Sequence, residues 1–132
     1  MSRSTVLLDT HVLVWLIVSP ERVPAETLDH LADAETRILV SAASAWEVAT
    51  KHRLGKMPEA SALLENWEND IATLFVEEIP ITRDDALRGG SLDWSHRDPF
   101  DRVLAAQAMA RNIPLVTGDL AMSTLAGLET LW

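Results

Sequence analysis

Five carboxylates lie where a predicted strand ends or a predicted helix begins. Asp9 ends the apolar run TVLLD, Glu47 lies early in the helix after RILVS, and Asp119 follows PLVTG. Asp98 and Asp101 open the helix of the segment HRDPFDRVLAAQA. Ligands of open parallel sheets bind beyond the carboxyl ends of the strands. We therefore expect Asp9, Glu47 and Asp119 to gather at one edge of a sheet, where Asp101 can join them from its helix.

Each of these acids, taken alone, also has a structural explanation. Asp9 and Asp119 precede predicted helices and fit as N-caps. Asp98 with the proline after it is a favourable helix start, and Glu47 completes the capping-box pattern S-x-x-E. For any single acid we prefer capping, because carboxylates favour helix N-termini.

Capping explains the complete set less well. Asp101 shares a helical face with Ala105 and Ala108, and that face should pack on the sheet. Ionised carboxylates that face a core are costly unless they are paired, and neighbouring carboxylates raise one another's pKa. No matching set of lysines or arginines is placed to neutralise them, whereas a divalent cation would do so.

The residue types indicate which cation this would be. Carboxylate and water oxygens suit magnesium or manganese, whereas zinc usually binds histidine or cysteine. The chain has no cysteine, and its four histidines show no metal-binding spacing, although His96 is near enough to touch a substrate. One or two magnesium ions held by carboxylates can activate water for phosphodiester hydrolysis.

The elements that must position these acids alternate along the chain. Strands are predicted at 5–9, 37–41, 75–81 and 113–117, and the closing segment LETLW completes the series. Helices are predicted at 10–18, 24–34, 44–55, 60–74, 82–88 and 99–111, with a short one after Asp119 and a loop from Gly89 to Asp98. This alternation predicts an α/β fold with a mainly parallel sheet, in a single domain of residues 1–132.

Composition narrows the classes of function. With 11 basic and 20 acidic residues the net charge is −9, which argues against passive coating of nucleic acid. An enzyme that reaches phosphates through bound cations remains possible. The absence of cysteine excludes disulfides and suits the cytoplasm, where we expect the protein. Asp9 and His11 interrupt the apolar N-terminal stretch, so we expect neither a signal peptide nor a membrane span.

Four segments together resemble a known family. They are LLDTHVLVW (7–15), SAASAWEVATKHRLGK (41–56), HRDPFDRVLAAQA (96–108) and PLVTGD (114–119). In this order they resemble the PIN-domain ribonucleases, and among these the VapC-like toxins of bacterial toxin–antitoxin pairs. The resemblance implies a three-layer α/β/α sandwich and an endoribonuclease that depends on Mg²⁺ or Mn²⁺. It also implies an RNA substrate, a homodimer and an antitoxin partner encoded alongside.

The resemblance further implies roles for single residues. Asp9 would be the first metal ligand, Asp101 the acid of a D-x-x-[IL]-A-A pattern, and Asp119 the last ligand, often acting through water. Glu47 completes this catalytic set of four acids. Asp98 would be an auxiliary ligand.

Other residues in the matching segments have less specific expected roles. Thr117 lies where the family commonly has a hydroxyl residue. Basic residues of these segments are expected either to face RNA phosphates or to cover a solvated helix face; they are Lys51, Arg53, Arg97 and Arg102. Trp15 and Trp46 are expected in the core, with a dimer or antitoxin contact as the alternative.

Three alternatives compete with the toxin. A receiver domain, which binds magnesium in signalling, would need two adjacent acids after the first strand, whereas Asp9 is followed by Thr10 and His11. A haloacid-dehalogenase-type phosphatase would need an aspartate at residue 11. The nearest alternative is another PIN-type nuclease that is not a toxin, either one that processes RNA or a flap endonuclease, although the small size of the chain favours the toxin.

Overall fold

The computed structural model describes residues 4–132. Five strands in this range form a parallel sheet. The strands are β1 (Ser4–Leu8), β2 (Thr36–Ser41), β3 (Glu77–Ile79), β4 (Leu115–Val116) and β5 (Thr130–Leu131). Their order across the sheet is β3-β2-β1-β4-β5, and every neighbouring pair is parallel. The chain therefore leaves β1, β2 and β4 at the same edge of the sheet.

Seven α-helices connect or follow the strands in the described part of the chain. They are α1 (Thr10–Val18), α2 (Ala25–Ala32), α3 (Ala42–Arg53), α4 (Ser61–Glu65), α5 (Trp67–Thr73), α6 (Arg83–Ser91) and α7 (Pro99–Arg111). Short 3₁₀ turns cover Pro20–Arg22, Pro58–Ala60 and Leu120–Thr124. Among residues 4–132, no helix is both long and apolar enough to cross a bilayer.

Helices cover both faces of the sheet, as the side chains of β1 show. Val6 and Leu8 pack on one face with residues of α1, α2 and α5, whereas Leu7 packs on the opposite face with Leu104 and Ala108 of α7. Successive side chains of a strand point to opposite faces, so a strand buried on both sides reads as a continuous apolar run. The predicted three-layer α/β/α sandwich with a mainly parallel sheet is confirmed.

The helix predicted over 60–74 is wrong, because the chain breaks it at Asn66 into α4 and α5. The Asn66 side-chain amide donates to the Ala62 carbonyl at 3.1 Å, a local bond that competes with helix continuation. The two halves also pack in different clusters, Leu63 with Met57 and Val48, and Ile71 against the sheet. The break lets each half direct its apolar side chain into its own cluster.

The loop predicted over 89–98 begins later, at Leu92, because α6 continues to Ser91. A Cβ atom at Gly89 would lie 3.3 Å from the backbone carbonyl oxygen of Arg102 in α7. Gly89 therefore permits a close approach of two helices and does not form a turn. The strand predicted over 75–81 is shorter and spans Glu77–Ile79; at its start, Phe75 follows α5 and lies in the left-handed region (φ 55°), which is not a strand conformation.

Candidate active site

The predicted acids meet at the carboxyl edge of the sheet, and three of them are nearly inaccessible. Asp9 is 4%, Glu47 1% and Asp101 8% exposed. The tightest group consists of Glu47, Asp98 and Asp101, each of which offers a carboxylate oxygen within 4.8 Å of the other two. We call these three residues the acidic cluster. Asp98, for which only an auxiliary role was predicted, is thus one of its members.

Asp9 does not cap the helix that it precedes. Its side chain makes no capping hydrogen bond to α1 and instead accepts one from the Thr117 hydroxyl at 2.6 Å. The same hydroxyl accepts a bond from the Asp119 amide at 3.1 Å, so Thr117 connects two of the predicted ligands. Burial raises the pKa of Asp9, and the charge of Glu47 adds to this rise against the opposing effects of Thr117 and His11.

Glu47 does not belong to a capping box either. Helix α3 begins after Ser41, whose hydroxyl accepts from the Ala43 amide, while the Ser44 hydroxyl bonds to that of Thr10 at 2.9 Å. Glu47 therefore lies beyond the first turn of α3, with its side chain buried. No capping role explains why this carboxylate is there.

The two oxygens of Glu47 have different surroundings. Oε2 accepts a hydrogen bond from Lys51 one turn later, whereas Oε1 is buried and has no hydrogen-bond partner among residues 4–132. Burial acts to lower the pKa of Lys51, but the bond to Glu47 and the charges of Asp98 and Asp101 outweigh it, and the pKa is raised. Lys51 therefore stays charged and offsets part of the negative charge of the cluster.

Ionisation of the buried Asp101 carboxyl is costly in the folded protein. Burial, together with the charges of Asp98, Asp9 and Glu47, raises its pKa to about 7, against the lowering effect of a 2.6 Å bond from His96 Nε2. This bond was not predicted, because His96 precedes the helix and no periodic pattern relates it to Asp101. Its only sequence signal was its nearness to the aspartates.

Two of the aspartates do act as caps. Asp98 Oδ1 accepts from the amides of Phe100 (2.9 Å) and Asp101 (3.1 Å) at the start of α7. Asp119 Oδ1 accepts from the Ala121 amide at 3.0 Å and begins the 3₁₀ turn Leu120–Thr124. Asp119 is exposed and lies outside the acidic cluster, but it lines a cavity of about 240 Å³ together with Asp9.

The basic residues predicted to contact phosphates have different surroundings. Arg53 and Arg97 are exposed, whereas Lys51 is paired with Glu47. The guanidinium of Arg102 donates to backbone carbonyls of residues 89–96 and is directed into a loop. Trp46 is 55% exposed and meets the ring of Phe100 edge-on at 4.6 Å, so it does not lie in the core as expected.

The site fits a divalent cation. Every acid offers only oxygen, and Glu47 Oε1 is a buried acceptor for which the described part of the chain supplies no donor, which normally costs free energy. Neighbouring carboxylates raise the pKa of Asp9 and of Asp101, and a positive ion among these acids would stabilise their ionised forms. The donor set matches the preference of magnesium or manganese and lacks the nitrogen or sulfur ligands that zinc prefers.

Comparison with known proteins identifies a family. The sequence model of the PIN domain matches residues 6–128. No curated protein sequence gives a significant match.

Several solved structures share the fold at low sequence identity. One belongs to VapBC2 from Rickettsia felis bound to a DNA fragment from its promoter (TM-score 0.70, 18% identity, 96% of this chain and 97% of the other covered). A second belongs to FitAcB from Neisseria gonorrhoeae (TM-score 0.63, 23% identity, 96% and 96% covered). A third belongs to a toxin–antitoxin complex from Klebsiella pneumoniae (TM-score 0.61, 17% identity, 96% and 96% covered). At these identities the likeness establishes a shared fold.

Proposed function

The chain belongs to the PIN-domain family of nucleases, and we propose that it is an endoribonuclease that depends on a divalent metal and acts as the toxin of a toxin–antitoxin pair. The observation that carries the metal-dependent part is the acidic cluster, where the buried Glu47 Oε1 has no donor among residues 4–132 and would accept from a water bound to an ion beside Asp98 and Asp101. Family membership argues against the receiver-domain and phosphatase alternatives.

The metal would be Mg²⁺ or Mn²⁺, held by Asp9, Asp98 and Asp101, with Asp119 reaching it through water. When bound, such an ion lowers the pKa of water and stabilises negative charge on phosphate oxygens. This arrangement keeps the predicted ligands Asp9, Asp101 and Asp119, and it adds Asp98 because that residue is a member of the acidic cluster.

The chain's own residues would then complete the hydrolysis. Glu47 Oε1 accepts a proton from the water that attacks phosphorus, while Lys51 holds Oε2. The new P–O bond forms as the bond to the leaving ribose oxygen breaks, and that oxygen takes up a proton from solvent. Thr117 fixes the carboxylate of Asp9 and His96 that of Asp101. Arg53 and Arg97 are exposed and would bind the phosphates of the RNA.

A cleavage assay on the purified protein tests the nuclease. We expect internal cleavage of a single-stranded or loop RNA with Mg²⁺ or Mn²⁺, none in EDTA, and none of the DNA of the same sequence. Glu47→Gln should reduce kcat by about 10² to 10⁴, the usual range for loss of an acid–base group, and Asp101→Asn, which removes a metal ligand, should be inactive. The exposed Asp93→Asn serves as the control. Full activity of Asp101→Asn, or undiminished cleavage in EDTA, would refute the assignment.

The toxin role rests on similarity of fold to chains of VapBC2, FitAcB and the toxin–antitoxin complex, and it implies an antitoxin partner. We also propose a homodimer, to which the exposed Trp46 contributes surface. Induced expression should arrest bacterial growth, Glu47→Gln should not, and coexpression of the neighbouring reading frame should restore growth. Cleavage of RNA without arrest would instead favour the RNA-processing nuclease.

A further inference from the structure

Arg102, the residue after Asp101, makes an unusual number of bonds to backbone carbonyls. Its Nε donates to the Gly89 oxygen at 2.9 Å, and Nη1 donates to the oxygens of Trp94 (2.9 Å) and His96 (2.8 Å). Nη2 donates to the Leu92 oxygen at 2.5 Å, with a longer contact of 3.4 Å to Gly90. All three nitrogens of the guanidinium are therefore engaged by the end of α6 and the segment after it.

These bonds hold a segment whose own backbone makes few hydrogen bonds. Residues 92–98, which we call the connecting loop, join α6 to α7 without helix or strand. Within the described chain, residues 93–97 make no backbone–backbone hydrogen bond. Side chains provide the other contacts: Trp94 packs on the core cluster and donates to the Thr124 hydroxyl at 2.9 Å, and His96 bonds to Asp101. Arg102 is thus the main polar support of the connecting loop.

The connecting loop carries two groups of the site. His96 donates to Asp101, and Asp98 belongs to the acidic cluster. A lysine could not replace Arg102 in this role, because only a planar guanidinium presents five N–H groups in fixed directions. The reach of Arg102 also depends on Gly89, where a Cβ would lie 3.3 Å from the backbone of α7.

The geometry points to Arg102 as a positioning residue and not as a contact to RNA. It fixes the connecting loop so that His96 bonds to Asp101 and Asp98 joins the acidic cluster. This inference rests on the proposed nuclease function for its kinetic consequences. The sequence predicts Arg102 as a phosphate-binding residue or part of a solvated helix face, but a phosphate could bind its guanidinium only by displacing the carbonyls that occupy the donors. Arg97, which is exposed on the same loop, is free of that conflict.

Two variants and a control test the inference without relying on activity. Arg102→Lys keeps the charge, and Arg102→Met keeps the length of the stem. Arg88→Met is the control, because Arg88 lies on neighbouring α6 and pairs only at the surface with Asp84. Without metal, amide hydrogen exchange in residues 92–98 should be faster in both Arg102 variants and unchanged in the control. In Mn²⁺ titrations by calorimetry, both should bind about 10- to 100-fold more weakly, as when residues that orient metal ligands are replaced.

Kinetics distinguish positioning from phosphate binding. For a positioning residue, both substitutions lower kcat about 10- to 100-fold, KM for RNA stays within about threefold, and the salt dependence of KM is that of the wild type. For a phosphate contact, Arg102→Lys is nearly as active as the wild type, Arg102→Met raises KM, and the slope of log KM against log salt falls by about 0.7.

Wild-type loop exchange and wild-type Mn²⁺ affinity in both Arg102 variants would overturn the inference. Circular dichroism establishes that each variant is folded, and Arg102→Lys decides the matter if Arg102→Met does not fold. If the wild type itself cleaves no RNA, the proposed function fails, while hydrogen exchange and Mn²⁺ binding still decide the role of Arg102.

Discussion

Replacing Asp101 with asparagine should stabilise the metal-free protein at neutral and alkaline pH while abolishing metal binding. The asparagine side chain would keep the shape of the aspartate and an acceptor for His96 but would carry no charge. The wild-type carboxylate is 8% exposed and lies beside Asp98, Asp9 and Glu47, so its ionisation opposes folding. When a residue serves function at the expense of stability, its replacement gives a more stable but inactive protein.

The pKa of Asp101 sets the size and the pH range of this effect. The pKa rises from 3.8 to about 7 on folding, and each unit corresponds to about 1.36 kcal/mol, which gives a cost of up to about 4 kcal/mol. Below pH 3.8 the carboxyl is protonated in both states and there is no cost. Between pH 3.8 and about 7 the unfolded chain loses the proton while the folded chain keeps it, so stability falls as pH rises. Above pH 7 the whole cost is present.

Urea unfolding followed by circular dichroism measures the difference between variant and wild type. In EDTA we expect the Asp101→Asn protein to be more stable by about 2–4 kcal/mol at pH 8, the lower value allowing for protons shared among coupled acids. The difference should nearly vanish by pH 4. With Mg²⁺ at 100 times its Kd the wild type should gain about 2.7 kcal/mol and the variant almost nothing.

Asp93→Asn is the control, because Asp93 is exposed and should show neither effect. If Asp101→Asn instead lowers the free energy of unfolding in EDTA by the same amount at pH 4 and pH 8, the carboxylate supports the fold. Repulsion among the crowded acids would then not determine the stability of this site.

Three further predictions follow from local geometry. Gly89→Ala should lower the free energy of unfolding by about 1–3 kcal/mol, because its Cβ would press on the backbone of α7. Gly90→Ala is its matched control in open space on the same helix, and it should raise the free energy of unfolding by about 0.5–1 kcal/mol in thermal melts. Phe75→Gly should stabilise by about 1 kcal/mol, because Phe75 is 90% exposed and ends α5 at φ 55°. His96→Phe removes the bond that lowers the pKa of Asp101. The acid limb of the pH profile for RNA cleavage should therefore shift to higher pH, and an unchanged limb would contradict a role for this bond.

Local sequence patterns predicted the fold class well, because β1 and the start of α7 are specified locally. The run VLL within β1 is apolar on both faces, and Asp98 with Pro99 forms the cap that the sequence indicates. The patterns failed where distant contacts overrule local preference. At Gly89 the deciding contact is the backbone of α7.

The sequence by itself determined that acids follow the ends of parallel strands and that only oxygen ligands are available for a metal. The alternation of strands with helices is sufficient for this, because crossover helices return the chain so that successive strands run parallel, and residue types are read directly from the sequence. Tertiary structure alone decided that Asp98 joins Glu47 and Asp101, that one Glu47 oxygen has no donor, and that Arg102 faces the connecting loop. These facts depend on burial and on hydrogen-bond partners from other elements. Because both the cost of a buried charge and the satisfaction of a donor are set by the three-dimensional surroundings, the spacing of residues does not encode them.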